Sequence, residues 1–126
     1  MMLAVNGIDH INLKVADLAK TCEFYHELFG FEELRDMPEV SGKIIGNKQA
    51  KLALYQVDGF EKYEKHGFSH VSFQVDNFEQ ALAACEKIQA PIKYNGILEW
   101  EKSRSLYILD PNGYEIELAE VWGGGL

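Results

Sequence analysis

The chain has 126 residues, of which 47% are hydrophobic and 25% charged, and 20 acidic against 12 basic residues give a net charge of −8. This length predicts one domain, and the composition is that of a folded globular protein. The scattered lysines and arginines argue against binding to nucleic acid or to an anionic membrane. No apolar run approaches the roughly 18 residues of a membrane span, and no signal peptide is evident, so we expect a cytoplasmic protein.

A repeated strand pattern opens each half of the chain. Residues 7–15 match residues 67–75, and each copy has a glycine, a histidine three residues later and apolar residues at alternate positions. This alternation is typical of a half-buried strand. It places His10 and His70 at equivalent positions on the polar faces of their strands.

A helix is predicted after each of these strands. The first spans Leu18–Phe29, with Asp17 as its N-cap and Gly30 as its C-cap. The second spans residues 78–89, with Asn77 as its N-cap. Two cysteines lie on the apolar stripes of these helices, where they are expected to pack as small hydrophobic residues: Cys22 and Cys85.

Three short strands are predicted after each helix, separated by turn residues. In the first half they are residues 31–36, 43–46 and 51–57, and in the second half residues 92–94, 105–109 and 114–121. The run Asp110-Pro111-Asn112-Gly113 predicts a tight turn between the last two strands. The chain therefore reads as an α+β fold, one domain over residues 1–126 with tandem βαβββ modules at about 1–60 and 61–126.

Two imidazoles and one carboxylate form a candidate metal-ligand set. Glu117 lies on the last strand, pointing away from its apolar neighbours, and joins the repeat-equivalent His10 and His70. This set suits a divalent first-row metal such as Fe, Mn, Ni or Zn. A lone strand histidine is more often an ordinary polar residue, so the repeat equivalence carries the prediction. His26 and His66 are expected to be surface residues.

The chain resembles the vicinal oxygen chelate superfamily, which includes glyoxalase I, fosfomycin-resistance enzymes, extradiol dioxygenases and bleomycin-resistance proteins. The resemblance spans nearly the whole chain and rests on four segments: residues 9–11, residues 24–30, residues 69–71 and residues 110–118. It implies that the βαβββ modules form a curved mixed sheet around a metal cleft, with His10, His70 and Glu117 as ligands of one divalent ion.

The resemblance also implies a small-molecule substrate, a homodimer whose cleft is shared between chains, and two further site residues. Arg104 would clamp a carboxylate or phosphonate of the substrate, and Tyr107 would donate to an oxygen held by the metal. A surface arginine and a packed strand tyrosine are the ordinary alternatives. The implied enzyme is a metal-dependent lyase or isomerase like lactoylglutathione lyase, or an extradiol-like dioxygenase.

Two departures from the family pattern bear on the reaction. The fourth ligand of glyoxalase I, which takes part in moving the substrate proton, corresponds to Ala53, and Gln56 lies nearby on the opposite face. Fosfomycin thiol transferases carry a threonine where this chain has Asn12. Two alternatives stay open: a fosfomycin-resistance-type enzyme, or a metal-independent protein that sequesters a drug, as bleomycin-resistance proteins do.

Overall fold

The computed structural model describes Met2, Ala4, residues 6–62 and residues 67–126. Module 1 contains β1 (Ile11–Val15), α1 (Leu18–Phe29), β2 (Glu32–Met37), β3 (Gly42–Gly46) and β4 (Lys51–Gln56). Module 2 contains β5 (His70–Gln74), α2 (Phe78–Lys87), β6 (Leu98–Glu99), β7 (Arg104–Leu109) and β8 (Glu115–Ala119). The surface position predicted for His66 falls outside the described residues.

Each module forms a four-stranded mixed sheet. The strand order is β1-β4-β3-β2 in module 1 and β5-β8-β7-β6 in module 2. In both modules the first strand pairs in parallel with the last, and the other neighbours are antiparallel. The predicted α+β class and the tandem βαβββ modules are confirmed. β1 and β5 are each the edge strand of their sheet.

The helix ends follow their capping residues. The α1 helix has its predicted limits: Asp17 Oδ1 accepts from Lys20 N at 2.9 Å, and Gly30 ends the helix with φ 69°. The α2 helix starts as predicted but ends at Lys87, two residues early. Gln89 has φ 56°, a left-handed conformation that a right-handed helix cannot include.

The predicted strand at residues 92–94 is wrong. Ile92 makes only an isolated bridge to Ile108, and the strand that pairs with β7 is β6. The cause is local, because Tyr94 and Asn95 have φ values of 58° and 63° and turn the chain out of the extended conformation. The other predicted strands overlap β2, β3, β4, β7 and β8 to within a residue or two.

The core lies between the sheets and the helices. Apolar residues at alternate positions of the central strands are fully buried, including Leu54, Ile116 and Leu118. Burying a side chain of this size contributes about 1.5–3 kcal/mol. The packing predicted for the cysteines is confirmed, since Cys85 belongs to the core and Cys22 packs against it. No helix among the described residues is long and apolar enough to cross a membrane.

The predicted turn after β7 forms and joins the two modules. Gly113 N donates to Asp110 O at 3.0 Å, and the buried Asp110 carboxylate accepts from Tyr25 Oη of α1 at 2.9 Å. Asn112 Oδ1 accepts from Ala16 N at 2.7 Å. Burial raises the pKa of Asp110, and the hydrogen bonds that it accepts oppose this shift. The turn of module 2 is thereby fixed to the β1–α1 junction of module 1.

Candidate functional site

One side of the module 2 sheet collects polar side chains from three adjacent strands. Ser72 of β5, Glu117 of β8 and Tyr107 of β7 are ladder partners and form one row across it. Alternate residues on the same strands, such as Ile116 and Ile108, are buried in the core. We call the side that carries Glu117 the polar face of module 2.

His70 and Glu117 meet on this polar face. His70 Nε2 lies 3.2 Å from Glu117 Oε1, and their side chains are 33% and 15% exposed. The parallel pairing of β5 with β8 brings them together, because it sets both side chains on the same side of neighbouring strands. An imidazole nitrogen and a carboxylate oxygen this close fit as two ligands of a divalent first-row metal.

Tyr107 lies beside the same pair. Its ring centroid is 5.1 Å from that of His70, in an edge-on arrangement. Burial, the charge of Glu117 and a hydrogen bond to Glu117 raise the pKa of Tyr107 to about 12. The hydroxyl therefore stays protonated at neutral pH and keeps a proton to donate.

Three residues at this site were not predicted. Ser105 Oγ donates to Glu117 Oε2 at 2.5 Å, and Trp100 Nε1 donates to Ser105 Oγ at 2.9 Å. Tyr94 Oη donates to Glu115 Oε1 at 2.5 Å. Strand alternation could have identified Ser105, which lies two residues before Tyr107 on β7. Tyr94 and Trp100 lie in loops, where no periodic pattern gives the direction of a side chain.

Arg104 lies on the opposite side of the sheet from Tyr107. Its Nη2 donates to Glu120 Oε2 at 2.7 Å and to Glu79 Oε1 at 2.8 Å. The guanidinium carbon sits 4.6 Å from the ring centroid of Phe78 on α2. The structure does not bring Arg104 to the His70–Glu117 pair, and a substrate contact would require it to leave both carboxylates.

His10 stands apart from the pair. It directly precedes β1, its side chain is 50% exposed, and its Nδ1 lies 2.7 Å from Asp9 Oδ2. A groove of about 1240 Å³ between the modules is lined by His10 and Ser72 but not by His70 or Glu117. Across the described parts of one chain, no three His, Cys, Asp or Glu side chains form a group that could hold a metal ion.

The strand register makes Ala53 the module 1 equivalent of Glu117. Ala53 pairs with Asn12 on β1, just as Glu117 pairs with Ser72 on β5. Ala53 is 3% exposed and has no donor atom in its side chain. Gln56 offers no replacement from where it stands, because its Oε1 accepts from Leu18 N at 2.8 Å at the start of α1.

Comparison with known proteins identifies the family. The model of the Glyoxalase/Bleomycin resistance protein/Dioxygenase superfamily matches residues 7–118. The chain belongs to this superfamily. Among its relatives, the lactoylglutathione lyase of Escherichia coli O157:H7 is 31% identical over 129 aligned positions, covering 92% of this chain and 93% of that protein. The metallothiol transferase FosB of Staphylococcus epidermidis is 25% identical, covering 92% of this chain and 82% of that protein.

Solved structures share the fold. The fosfomycin resistance protein FosX of Listeria monocytogenes superposes with a TM-score of 0.78 at 20% identity, covering 98% of this chain and all of that one. The lactoylglutathione lyase of Agrobacterium tumefaciens gives a TM-score of 0.73 at 23% identity, covering 94% of this chain and 98% of that one. Proteins of both kinds therefore share the scaffold.

Proposed function

We propose that the protein is a divalent-metal-dependent enzyme that acts on a small oxygen-bearing substrate. The observation that carries the proposal is the contact of 3.2 Å between His70 Nε2 and Glu117 Oε1 on the polar face of module 2. His10 is the proposed third ligand, which completes a set of two histidines and one carboxylate. The metal is Fe, Mn, Ni or Zn.

A second copy of the chain supplies His10 in this proposal. Within one chain, His10 lines the groove between the modules, whereas His70 and Glu117 do not. β1 and β5 are both edge strands, whose outer backbone groups are free to pair with another chain. A two-fold symmetric homodimer would set module 1 of each copy beside module 2 of the other and so form two equivalent sites.

The residues of this chain would have distinct tasks at such a site. The metal supplies polarisation of a substrate oxygen when it is bound. Burial and Glu117 raise the pKa of Tyr107 to about 12, so the hydroxyl keeps its proton, which would turn from Glu117 to donate in a hydrogen bond to the substrate. The rings of Tyr94 and Tyr107, with centroids 5.2 Å apart, cover the flank of the site and limit access of water.

The reaction class follows from the ligand that is missing. Ala53 cannot take part in the proton transfer that the corresponding carboxylate performs in glyoxalase I. A site with three protein ligands resembles those of the fosfomycin enzymes and the extradiol dioxygenases. We therefore favour opening of an epoxide or oxygenation of a catechol-like substrate over isomerisation of a glutathione hemithioacetal. Among the relatives, the metallothiol transferase FosB supports the first of these two, whereas the lactoylglutathione lyases carry out the reaction that Ala53 disfavours.

Metal stoichiometry tests this proposal. Protein purified without a His tag or chelator is expected to contain about one divalent ion per chain, and apoprotein should regain it in calorimetric titration. His70→Ala is expected to remove most of this affinity. His26→Ala is the matched control, since His26 is an exposed helical histidine beside Glu32 that does not touch the site. Unchanged affinity in His70→Ala would overturn the ligand assignment.

Activity assays on the metal-loaded protein then separate the reaction classes. Thiol or water addition to an epoxide phosphonate, or oxygen uptake on catechols, would support the proposal. Isomerisation of a hemithioacetal would contradict the role given to Ala53. Protein that refuses every metal yet binds a cationic drug would contradict the proposal and favour the drug-sequestering alternative.

A further inference from the structure

We propose that Ser105 is a positioning residue that fixes the carboxylate of Glu117, and that Trp100 orients the Ser105 hydroxyl for this task. The inference rests on the proposed metal site and adds to it two residues that do not ligate the metal. The chain of hydrogen bonds runs from Trp100 Nε1 to Ser105 Oγ at 2.9 Å and from Ser105 Oγ to Glu117 Oε2 at 2.5 Å.

The direction of these bonds follows from the donors available. An indole N–H can only donate, so Ser105 Oγ must be the acceptor in its bond with Trp100. An ionised carboxylate can only accept, so the Ser105 proton must point to Glu117. Each group then has one role, and the hydroxyl has no other partner competing for its proton. Ser105 is 1% exposed, which excludes water as a substitute donor on its side.

The two oxygens of Glu117 are thereby given different environments. Oε2 is held by Ser105, whereas Oε1 faces His70 Nε2 at 3.2 Å. A glutamate has three rotatable side-chain bonds, and restraining one oxygen limits the rotation of the carboxylate about the last of them. Oε1 is therefore presented beside His70, where a metal would bind both groups.

Trp100 is suited to this task because only its polar edge is engaged. The residue is 54% exposed, so its ring contributes little to the core, yet its Nε1 reaches a buried hydroxyl. Leu98 of β6 pairs with Ser105 of β7, which sets the two chain segments side by side. The short strand β6 thus gives a structural reason for Trp100 to lie against Ser105.

The expected effect is a loss of metal affinity without a loss of the fold. Residues that orient metal ligands typically change metal affinity about 10–100-fold when they are replaced. Ser105→Ala removes one hydroxyl and is expected to weaken binding of Co(II) or Zn(II) within this range. Trp100→Phe keeps the ring but removes the N–H, and is expected to have a smaller effect in the same direction.

Calorimetric titration of the full-length apoprotein, together with the visible spectrum of the Co(II) form, tests the inference. The Co(II) bands report on ligand number and geometry, and they should shift in Ser105→Ala. Ser103→Ala is the matched control, because Ser103 is also a buried serine near β7 but its hydroxyl bonds to the backbone of Arg104 and Val121. It should lower stability while leaving the metal affinity and the spectrum unchanged.

The outcomes separate this inference from the proposed function. If the wild type binds metal, His70→Ala does not, and Ser105→Ala matches Ser103→Ala in affinity and spectrum, the inference is wrong and the metal site stands. Trp100→Phe with wild-type affinity would overturn the part assigned to Trp100. A wild-type protein that takes up no metal would overturn the proposed function and this assignment with it.

Discussion

The two modules share a backbone pattern but carry different chemistry on equivalent faces. In module 2, the row across the sheet consists of Ser72, Glu117 and Tyr107. The corresponding row of module 1 consists of Asn12, Ala53 and Ile44. The acid and the phenol of one module are thus an alanine and an isoleucine in the other.

This difference shows that the two modules can share a scaffold without sharing the side chains of the candidate site. The first strand begins directly after His10 in module 1 and at His70 in module 2, and each helix is capped by a residue whose side chain accepts from the backbone three residues on, namely Asp17 and Asn77. These local features maintain the fold in each module. In the proposed site, the last strand carries a ligand only in module 2, and module 1 contributes His10 alone.

The turns before the last strands differ in the same way. In module 2, Asp110 accepts from Tyr25 of the other module, so the turn links the two modules by a hydrogen bond. In module 1, Asn47 Oδ1 accepts from the N–H groups of Gln49 and Ala50, so the turn bonds to itself. The turn of module 1, which bonds to itself, lines the groove between the modules.

The largest effect is expected from replacing Glu117, which makes the polar row of module 2 more like the corresponding row of module 1. Glu117→Ala gives module 2 the residue that module 1 has at the equivalent position, and it should abolish metal binding in calorimetric titration. The loss should exceed the roughly 10–100-fold effect of a residue that only orients a ligand. Glu115→Ala, on the same strand and face, is the control and should retain metal. Metal affinity that survives in Glu117→Ala would show that the polar face of module 2 is not the metal site.

A smaller effect is expected from breaking the hydrogen bond between Tyr25 and Asp110, which links the two modules. Tyr25→Phe removes the donor to a buried carboxylate, which should lower the free energy of unfolding by about 1–3 kcal/mol in urea denaturation. Asn47→Ala disturbs the self-contained turn and should cost less. Equal costs for the two variants would remove the distinction between the turns.

The smallest effect on the site is expected from Arg104→Ala. The side chain bonds Glu79 and Glu120 on the side of the sheet that α2 covers, so its loss should lower the melting temperature modestly and leave metal affinity unchanged. The kinetic readout is KM with a loaded enzyme. A large rise in KM at constant metal affinity would show that Arg104 contacts substrate, as the family resemblance implies.

Local signals explain which parts of the fold the sequence predicts well. The limits of α1 are predicted to the residue because Asp17 and Gly30 act within one helical turn of its ends. β6 was not predicted, since its position depends on the left-handed conformations of Tyr94 and Asn95. Asn95 adopts positive φ more readily than most residues and forms a turn signal with Gly96, whereas Tyr94 has no such preference and is held at positive φ by the tertiary structure.

The candidate site likewise has features that the sequence predicts and features that it does not. The pairing of His70 with Glu117 and the place of Ala53 follow from strand alternation and the repeat. The contact of Trp100 with Ser105 does not, because a loop has no period from which to read a direction. Nor does the sequence decide whether His10 would join His70 and Glu117 of its own chain or of a second copy. Equivalence within the repeat gives the position of a residue in its module, but not which other module lies beside it.

Complementation between two defective chains tests the shared site most directly. His10→Ala and His70→Ala homodimers should each lack metal, but a heterodimer of the two retains one intact site, with His10 from one copy and His70 and Glu117 from the other. Differently tagged chains, mixed, exchanged and purified through both tags before the tags are removed, should bind about one metal ion per dimer, half the wild-type content. A heterodimer without metal would contradict the account and place the three ligands within a single chain.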